Sequence, residues 1–522
     1  MSSRGIIDFD SNGLDELLRK WGLRKTWISI LSTHLQSSNH LDYVLQSKEF
    51  KGAKILPNDL IEGLSVGEIG VLYEYSHASV DANLRKSNGQ FFTPDDVAKF
   101  MVSFSKKFPE GIWLDPCSGI GNLSWHLVAS QGNPEEFLIN KMLMSDKDKI
   151  ALLIARTLFT ASFQVNHKNL FHEIEDNFIC FDFLSVSDEK FGNHQDVGSG
   201  LDSIPPHDFV IVNPPYLATA QDSRFETSRS GDLYAYFLEN IIKTSKGFIS
   251  VTPQSFTNAA KFKELRSLLL RNYSSLTIFN FDNVPGNVFR GIKFGSQNTN
   301  TANSIRAAVT IARPGKGSRK ITSLMRWRSH EREMLFKNAK KFLSSAPLTD
   351  NFFPKVGKKY QDLYAHVSMF PKLRSICSPT PTKYSLHIPS SPRYFIPALK
   401  KPVKRSSQHE IFFHSETERE RAYLVINSSL MYWWWRVRDG GMTLSQETLF
   451  SLPMPPLRCS TNMVRLLENS EIANKVYKQN AGSPQENVKH PQDLVQKLNN
   501  YVMQEFSDIL LETHRNSDLG DV

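Results

Sequence analysis

The sequence predicts a doubly wound α/β fold, a mostly parallel sheet with helices on both faces, over residues 86–315. Three observations predict it. Between 89 and 315 short apolar runs alternate with longer amphipathic segments, the rhythm of a parallel sheet with buried strands. Four runs end on a polar side chain, Asp115, Asp146, Asp182 and Asn213, which are 31, 36 and 31 residues apart, about one βα repeat. A glycine-bearing turn, DPCSGIGN at 115–122, follows the first run, where such a fold needs the backbone to approach a ligand.

The elements follow in order. Residues 1–85 form a helical N-terminal region: LDELLRKWGLRKTWISILSTHL and VGEIGVLYEYSHASV carry apolar residues at helical spacing. GIWLDP then reads as a strand and LSWHLVAS as a helix, and the pattern repeats with MLMSD and KIALLIARTLFTASF. FICFD and DFVIVN are the next strands, followed by the helix LYAYFLENIIKTS; GFISVTP precedes AAKFKELRSLLLRN, and LTIFNFD and RAAVTIAR close the sheet. Arg313-Pro314-Gly315-Lys316-Gly317 reads as a linker. Residues 316–522 form a third, basic domain of mixed α/β character, with a helical segment at 418–438 and a closing amphipathic helix in VQKLNNYVMQEFSDILLE. SPQENVKHPQ (483–492) reads as a loop, and consecutive Tyr432, Trp433, Trp434 and Trp435 cannot all face one way on a helix, so at least two belong to a core.

Composition narrows the class. A chain of 522 residues is too long for one core and predicts two or three domains. Hydrophobic content of 40% and charged content of 22% suit a globular protein, and no apolar run approaches the ~18 residues of a membrane helix. The start, MSSRGIIDFDSNGLDELL, does not read as a secretory signal. Four scattered cysteines argue against a disulfide framework and a zinc site, so no metal is expected and a reducing cytoplasm is. Net charge is +9, but Gly315 to Glu410 holds 20 Lys plus Arg against 5 Asp plus Glu, a local +15. A basic block beside an acidic remainder suggests a module that binds a polyanion.

The four strand-end residues would line one crevice, because ligands of open α/β sheets bind at the carboxyl ends of strands; each Asp alone could equally cap its following helix. Gly119 and Gly121 allow a tight turn, and the helix after them suits a carboxylate. The third glycine of a dinucleotide site is absent and Asp146 comes too late for one. Asp146 is placed to bind ribose hydroxyls, with Asp148 a possible substitute, and Asp182 to accept from an exocyclic amine. In Asn213-Pro214-Pro215-Tyr216 the prolines stiffen the loop. The Asn213 side-chain oxygen and the Pro214 carbonyl are then expected to point outward with no local donor to absorb them, beside the flat face of Tyr216. Two acceptors and a π face suit a planar base bearing an exocyclic amine.

These residues resemble the N6-adenine DNA methyltransferases, more narrowly the gamma-ordered class of restriction-modification systems, a type II modification methylase with a fused target recognition domain. NPPY is similar to that family's catalytic signature, DPCSGIGN to its cofactor loop, and GQFFTP (89–94) to the segment that closes over the methionine end. The likeness covers about 75–315, with Cys117-Ser118 where the family often has Ala-Cys-Gly. It implies the class I S-adenosylmethionine-dependent methyltransferase fold and S-adenosyl-L-methionine as cofactor, held by Gln90, Phe92, Thr93, Asp115, Pro116, Gly119, Gly121, Asp146 and Asp182. Asp115 and Gly119 would serve the methionine portion, Asp146 the ribose and Asp182 the adenine. Asn213, Pro214, Pro215 and Tyr216 would be catalytic, with Tyr216 and Phe289 against an extruded base. AYLVINSSLMYWWWR with FSLPMPP is more weakly similar to a specificity domain.

The implied partners are duplex DNA and a cognate restriction endonuclease acting on the same site, with no membrane, and the expected enzyme is a monomer of the prokaryotic, nucleoid-associated cytoplasm. An RNA or N4-cytosine methyltransferase, a protein-glutamine methyltransferase and a non-catalytic DNA-binding subunit are the other readings; the compactness of the glutamine enzymes and the intact polar set weigh against the last two.

Overall fold

The computed structural model describes residues 6–7, 11–36, 41–80, 93–185, 205–289, 293–294, 297–298, 305–391, 394–439, 441, 443–480 and 483–519. The chain divides into two compact units. The first comprises Met1–Phe256, Ala260–Arg319 and Ser329–Lys337; the second comprises Thr257–Ala259, Lys320–Arg328 and Asn338–Val522.

The first unit is α/β. Its helices α1 (Ser11–Leu35, kinked at Gly22), α2 (Val66–Val80) and α3 (Asp95–Val102) precede the sheet. Strand β1 (Trp113–Asp115) leads to α4 (Asn122–Ala129) and α5 (Pro134–Lys141), and β2 (Met142–Asp146) to α6 (Lys149–Phe163). Then come β3 (Phe178–Cys180), β4 (Phe209–Val212), α7 (Leu233–Thr244), β5 (Gly247–Pro253), α8 (Lys263–Asn272), β6 (Ser275–Phe281) and β7 (Ala307–Arg313). The strands stand in the order β6-β7-β5-β4-β1-β2-β3. β7 runs antiparallel to both its neighbours, and the other pairings are parallel.

The strand order explains where a site can form. From β1 the chain builds outward through β2 and β3, then returns to the other side of β1 for β4 and β5. Connections therefore diverge between β1 and β4, and a crevice opens at their carboxyl ends. The opposite end is closed by Asp208, whose carboxylate accepts the Ile112 N–H at 2.9 Å and pairs with Lys246 Nζ at 2.7 Å. The central strands are buried throughout, as strands covered by helices on both faces must be. The N-terminal helices share a core with the sheet's helices: Trp27 and Leu31 of α1, Ile69 and Leu72 of α2, and Ile154 and Leu158 of α6 form one apolar cluster.

The second unit carries a three-stranded antiparallel sheet in the order Cys377–Ser378, Gln408–Phe413, Ser385–Pro389, with helices at Glu416–Asn427, Ser429–Arg438 and Gln492–Met503. Tyr432, Trp433, Trp434 and Trp435 are all buried, so the helix that bears them is surrounded. Three of them use their polar edges: Arg326 donates to the Tyr432 hydroxyl, Trp434 Nε1 to Ser451 Oγ at 3.0 Å and Trp435 Nε1 to the Thr443 carbonyl at 3.3 Å. The expected loop at 483–492 is corrected: Ser483–Val488 pairs antiparallel with Lys475–Asn480. Its pairing rests on backbone bonds and a Lys475–Glu486 ion pair of 2.7 Å, so no apolar alternation marked it. Among the described residues no helix is long and apolar enough to cross a membrane, and all four cysteines are free thiols.

Candidate active site

Asp115 is the last residue of β1 and is buried. One carboxylate oxygen accepts the Ser124 hydroxyl of α4 at 2.9 Å, and Oδ1 has no hydrogen-bond partner. Burial pushes this carboxyl up to about 7, against the pull of Ser124 and the Cys117 backbone, and the neighbouring Asp146 charge adds to the rise. The loop after it turns sharply, with left-handed backbone at Gly119 (φ 54°) and Gly121 (φ 84°). A β-carbon on Gly121 would stand 2.8 Å from the Phe159 ring of α6. Pro116 lies in this loop, and its carbonyl accepts Ser145 Oγ at 3.3 Å.

Asp146 ends β2 and ties the loop down: its Oδ2 accepts the Gly119 N–H at 2.8 Å and its Oδ1 the Asp148 N–H at 2.9 Å. Burial raises this carboxyl as well. Asp148 has other work. Its Oδ1 caps α6 by accepting from Ile150 and Ala151 N–H, and its Oδ2 accepts from Tyr73 Oη at 2.7 Å and His77 Nε2 at 3.1 Å. Each of its oxygens already accepts two hydrogen bonds, against one on each oxygen of Asp146, so Asp146 has the more acceptor capacity to spare. Asp182 lies two residues beyond β3, is exposed, and accepts the Leu184 N–H at 3.0 Å.

Asn213 is the first residue past β4, beside the point where the strand order diverges. Its Nδ2 donates to Thr93 Oγ1 at 3.0 Å, and its backbone carbonyl accepts the Cys117 thiol at 3.2 Å. The expectation of an Asn213 oxygen with no local donor is corrected: the Tyr216 hydroxyl lies 2.6 Å from Oδ1 and 2.9 Å from the Val251 carbonyl of β5. A single hydroxyl proton serves both acceptors. Pro214 is buried and Pro215 half-buried. Phe289, also buried, meets the Tyr216 ring edge-on with centroids 5.8 Å apart. Thr93 joins the two halves of the crevice, since its carbonyl accepts Asn122 Nδ2 of α4 at 2.7 Å. Gln90 and Phe92 lie outside the described residues.

One cavity of about 270 Å³ is lined by Thr93, Asp115, Pro116, Gly119, Asp146, Asp182, Asn213 and Pro215, with Ile120, Leu123, Phe183 and Phe237 as apolar wall. Gly121, Pro214, Tyr216 and Phe289 are not among its lining residues. Tyr73, Glu74 and His77 of α2 also line it, a contribution the sequence reading missed. No spacing rule links a helix at 66–80 to a strand end at 146. No group of His, Cys, Asp and Glu fit to hold a metal ion occurs among the described residues.

The type II methyltransferase M.PstI of Providencia stuartii is 25% identical over 226 residues, 40% of this chain and 41% of that protein. The chain thus spans about two fifths of the length of this curated relative. Among solved structures, the type IIG restriction endonuclease BpuSI aligns over 98% of this chain and 79% of its own, with 12% identity and a TM-score of 0.40. A type I methyltransferase subunit from Streptococcus thermophilus aligns over 64% and 76%, with 16% identity and a TM-score of 0.35. Residues 140–289, which run from β2 through the Asn213-Pro214-Pro215-Tyr216 turn to Phe289, match the family model of the Eco57I restriction-modification methylases.

Proposed function

We propose that the protein is a site-specific DNA methyltransferase of a restriction-modification system, which methylates the exocyclic N6 amine of adenine in a short duplex sequence and so protects it from a cognate endonuclease. The observation that carries this reading is the Asn213 carboxamide, anchored through Nδ2 by Thr93 in the wall of a cavity that buried Asp115 and Asp146 also line.

The cavity fits S-adenosyl-L-methionine. The unpartnered Oδ1 of buried Asp115 and the charge it shares with Asp146 suit a cationic amino-acid end; the Asp146 oxygens keep lone pairs for a diol; Asp182 and the Phe183 and Phe237 walls suit an adenine ring. When bound, that group supplies an electrophilic methyl on sulfonium. Everything else falls to this chain. Asn213 Oδ1 and the Pro214 carbonyl accept the two hydrogens of the target amine and concentrate its lone pair on nitrogen. The Tyr216 hydroxyl does not compete, because Val251 offers it a second acceptor at 2.9 Å. Its release from Asn213 is a rotation of one O–H bond. The Tyr216 and Phe289 rings provide the apolar contact that an extruded base requires. Rate enhancement then comes from positioning and from acceptors aimed at developing charge.

The test is methyl transfer from labelled S-adenosyl-L-methionine to unmethylated bacteriophage DNA, wild type beside Asn213→Ala, with the labelled nucleoside identified. Label in N6-methyladenine that vanishes in the variant supports the reading. Label in N4-methylcytosine corrects the base. No label in DNA, despite cofactor binding, refutes a DNA substrate. Cleavage of unmodified DNA with magnesium would refute a separate endonuclease partner.

A further inference from the structure

Helix α2 lies outside the doubly wound sheet, yet two of its side chains converge on one oxygen at the edge of the cavity. Tyr73 Oη and His77 Nε2 both reach Asp148 Oδ2, while Asp148 Oδ1 caps α6. The Asp148 N–H in turn holds Asp146 Oδ1, and Asp146 Oδ2 holds the Gly119 N–H. An unbroken chain of hydrogen bonds therefore runs from α2 to the glycine turn, with no link longer than 3.1 Å.

We propose that Tyr73 and His77 are positioning residues, which set the Asp146 carboxylate through Asp148 so that it meets the diol of a bound nucleoside; this rests on the cofactor reading above. Tyr73 is built to stay in place. It is buried, with Trp27 edge-on at 5.3 Å and His77 edge-on at 4.7 Å. Burial and the adjacent Asp148 charge raise the Tyr73 hydroxyl, so it remains a donor. Burial works to raise the Asp148 carboxyl too, but the His77 and Tyr73 hydrogen bonds and the Ala151 N–H hold it below its ordinary value. Asp148 thus remains an anion against which both donors are fixed. Without them the 147–148 turn would be anchored by the helix cap alone, and Asp146 would lose the restraint on one of its two oxygens.

The experiment is titration calorimetry of the full chain with S-adenosyl-L-homocysteine. Tyr73→Phe and His77→Leu should each weaken binding about tenfold, the size of a lost hydrogen bond to a charged group. His77→Gln, which keeps a donor, should restore affinity to within about threefold. Asp148→Asn keeps an oxygen for the cap and removes the anionic acceptor shared by Tyr73 and His77. In that background His77→Leu should cost less than about threefold more, because coupled residues are not additive. Wild-type affinity in both Tyr73→Phe and His77→Leu, or an undiminished His77→Leu loss on Asp148→Asn, would overturn the proposal. Should His77→Leu not fold, Tyr73→Phe and His77→Gln decide it. If wild type itself binds neither this probe nor S-adenosyl-L-methionine, the cofactor reading fails first.

Discussion

The Tyr216 hydroxyl sits between two acceptors, Asn213 Oδ1 at 2.6 Å and the Val251 carbonyl at 2.9 Å, and this sharing fixes what its removal does. Tyr216→Phe should cost about 1–3 kcal/mol of stability, the worth of a hydrogen bond in a buried site, and leave the methyl-transfer kcat within about threefold, because the hydroxyl has turned to Val251 when Asn213 takes up the amine. Its affinity for S-adenosyl-L-homocysteine should not change, because Tyr216 does not line the cavity; urea denaturation, steady-state kinetics and calorimetry check the three in turn. Asp115 makes a prediction in pH. Its folded carboxyl lies near 7, above the ordinary 3.8, because burial penalises the charge. The folded state therefore holds a proton that the unfolded state has released, and stability falls as pH rises from about 4 through 7. Asp115→Asn removes this loss. Between pH 5 and pH 8 the variant should gain about 2–3 kcal/mol on wild type in urea denaturation without ligand, from 1.36 kcal/mol per pKa unit. A cationic ligand prefers the ionised acid, so wild-type affinity for S-adenosyl-L-methionine should rise with pH through about 7, and the rise should vanish in Asp115→Asn. A constant stability difference between wild type and variant from pH 5 to 8 would show that Asp115 does not titrate there.

At the scale of elements, the turn between β1 and α4 depends on two glycines for different reasons. Gly119 has left-handed backbone but open space around its α-carbon, whereas Gly121 is left-handed and faces the Phe159 ring. Gly119→Ala should cost about 1–2 kcal/mol from backbone strain, and Gly121→Ala about 2–4 kcal/mol as overpacking against α6 adds to it. Denaturation midpoints would reveal the difference; equal costs would mean that Phe159 yields freely. The strands around this turn were legible because strands buried on both faces read as apolar runs: GIWLDP, MLMSD and DFVIVN contain β1, β2 and β4 in full, and FICFD contains the half-buried edge strand β3. The crevice was legible for a related reason, since a polar residue that stops an apolar run falls at a strand's carboxyl end. What escaped in the site was made by partners distant in sequence. Nothing in the spacing ties Tyr73 and His77 to Asp148, or the Tyr216 hydroxyl to Val251. The hairpin of Lys475–Asn480 and Ser483–Val488 escaped because its strands are polar, and the helix Pro134–Lys141 because its eight residues are too few to set an apolar period.

At the scale of the whole molecule the charge is the argument. The stretch from Gly315 to Glu410 carries +15 while the chain totals +9, so the rest is acidic. A ligand that draws on this block must be a polyanion, and binding must release the counterions that the polyanion holds. The association constant for duplex DNA should therefore fall by about a thousandfold between 50 and 200 mM salt, the change expected when roughly six phosphates are neutralised. Lys358, Lys401 and Lys404 are exposed members of the block. Replacing all three with Gln should flatten the logarithmic salt slope by about one for each lysine that meets a phosphate. Binding should weaken by a similar factor on every DNA sequence, because phosphate contacts position the protein without reading bases. Affinity for S-adenosyl-L-homocysteine should stay at the wild-type value, since none of the three lines the cavity. Fluorescence anisotropy on specific and scrambled duplexes across that salt range makes the measurement. A slope near zero in wild type would mean that the basic block serves some purpose other than DNA, and a slope unchanged in the triple variant would place the phosphate contacts on other residues of it.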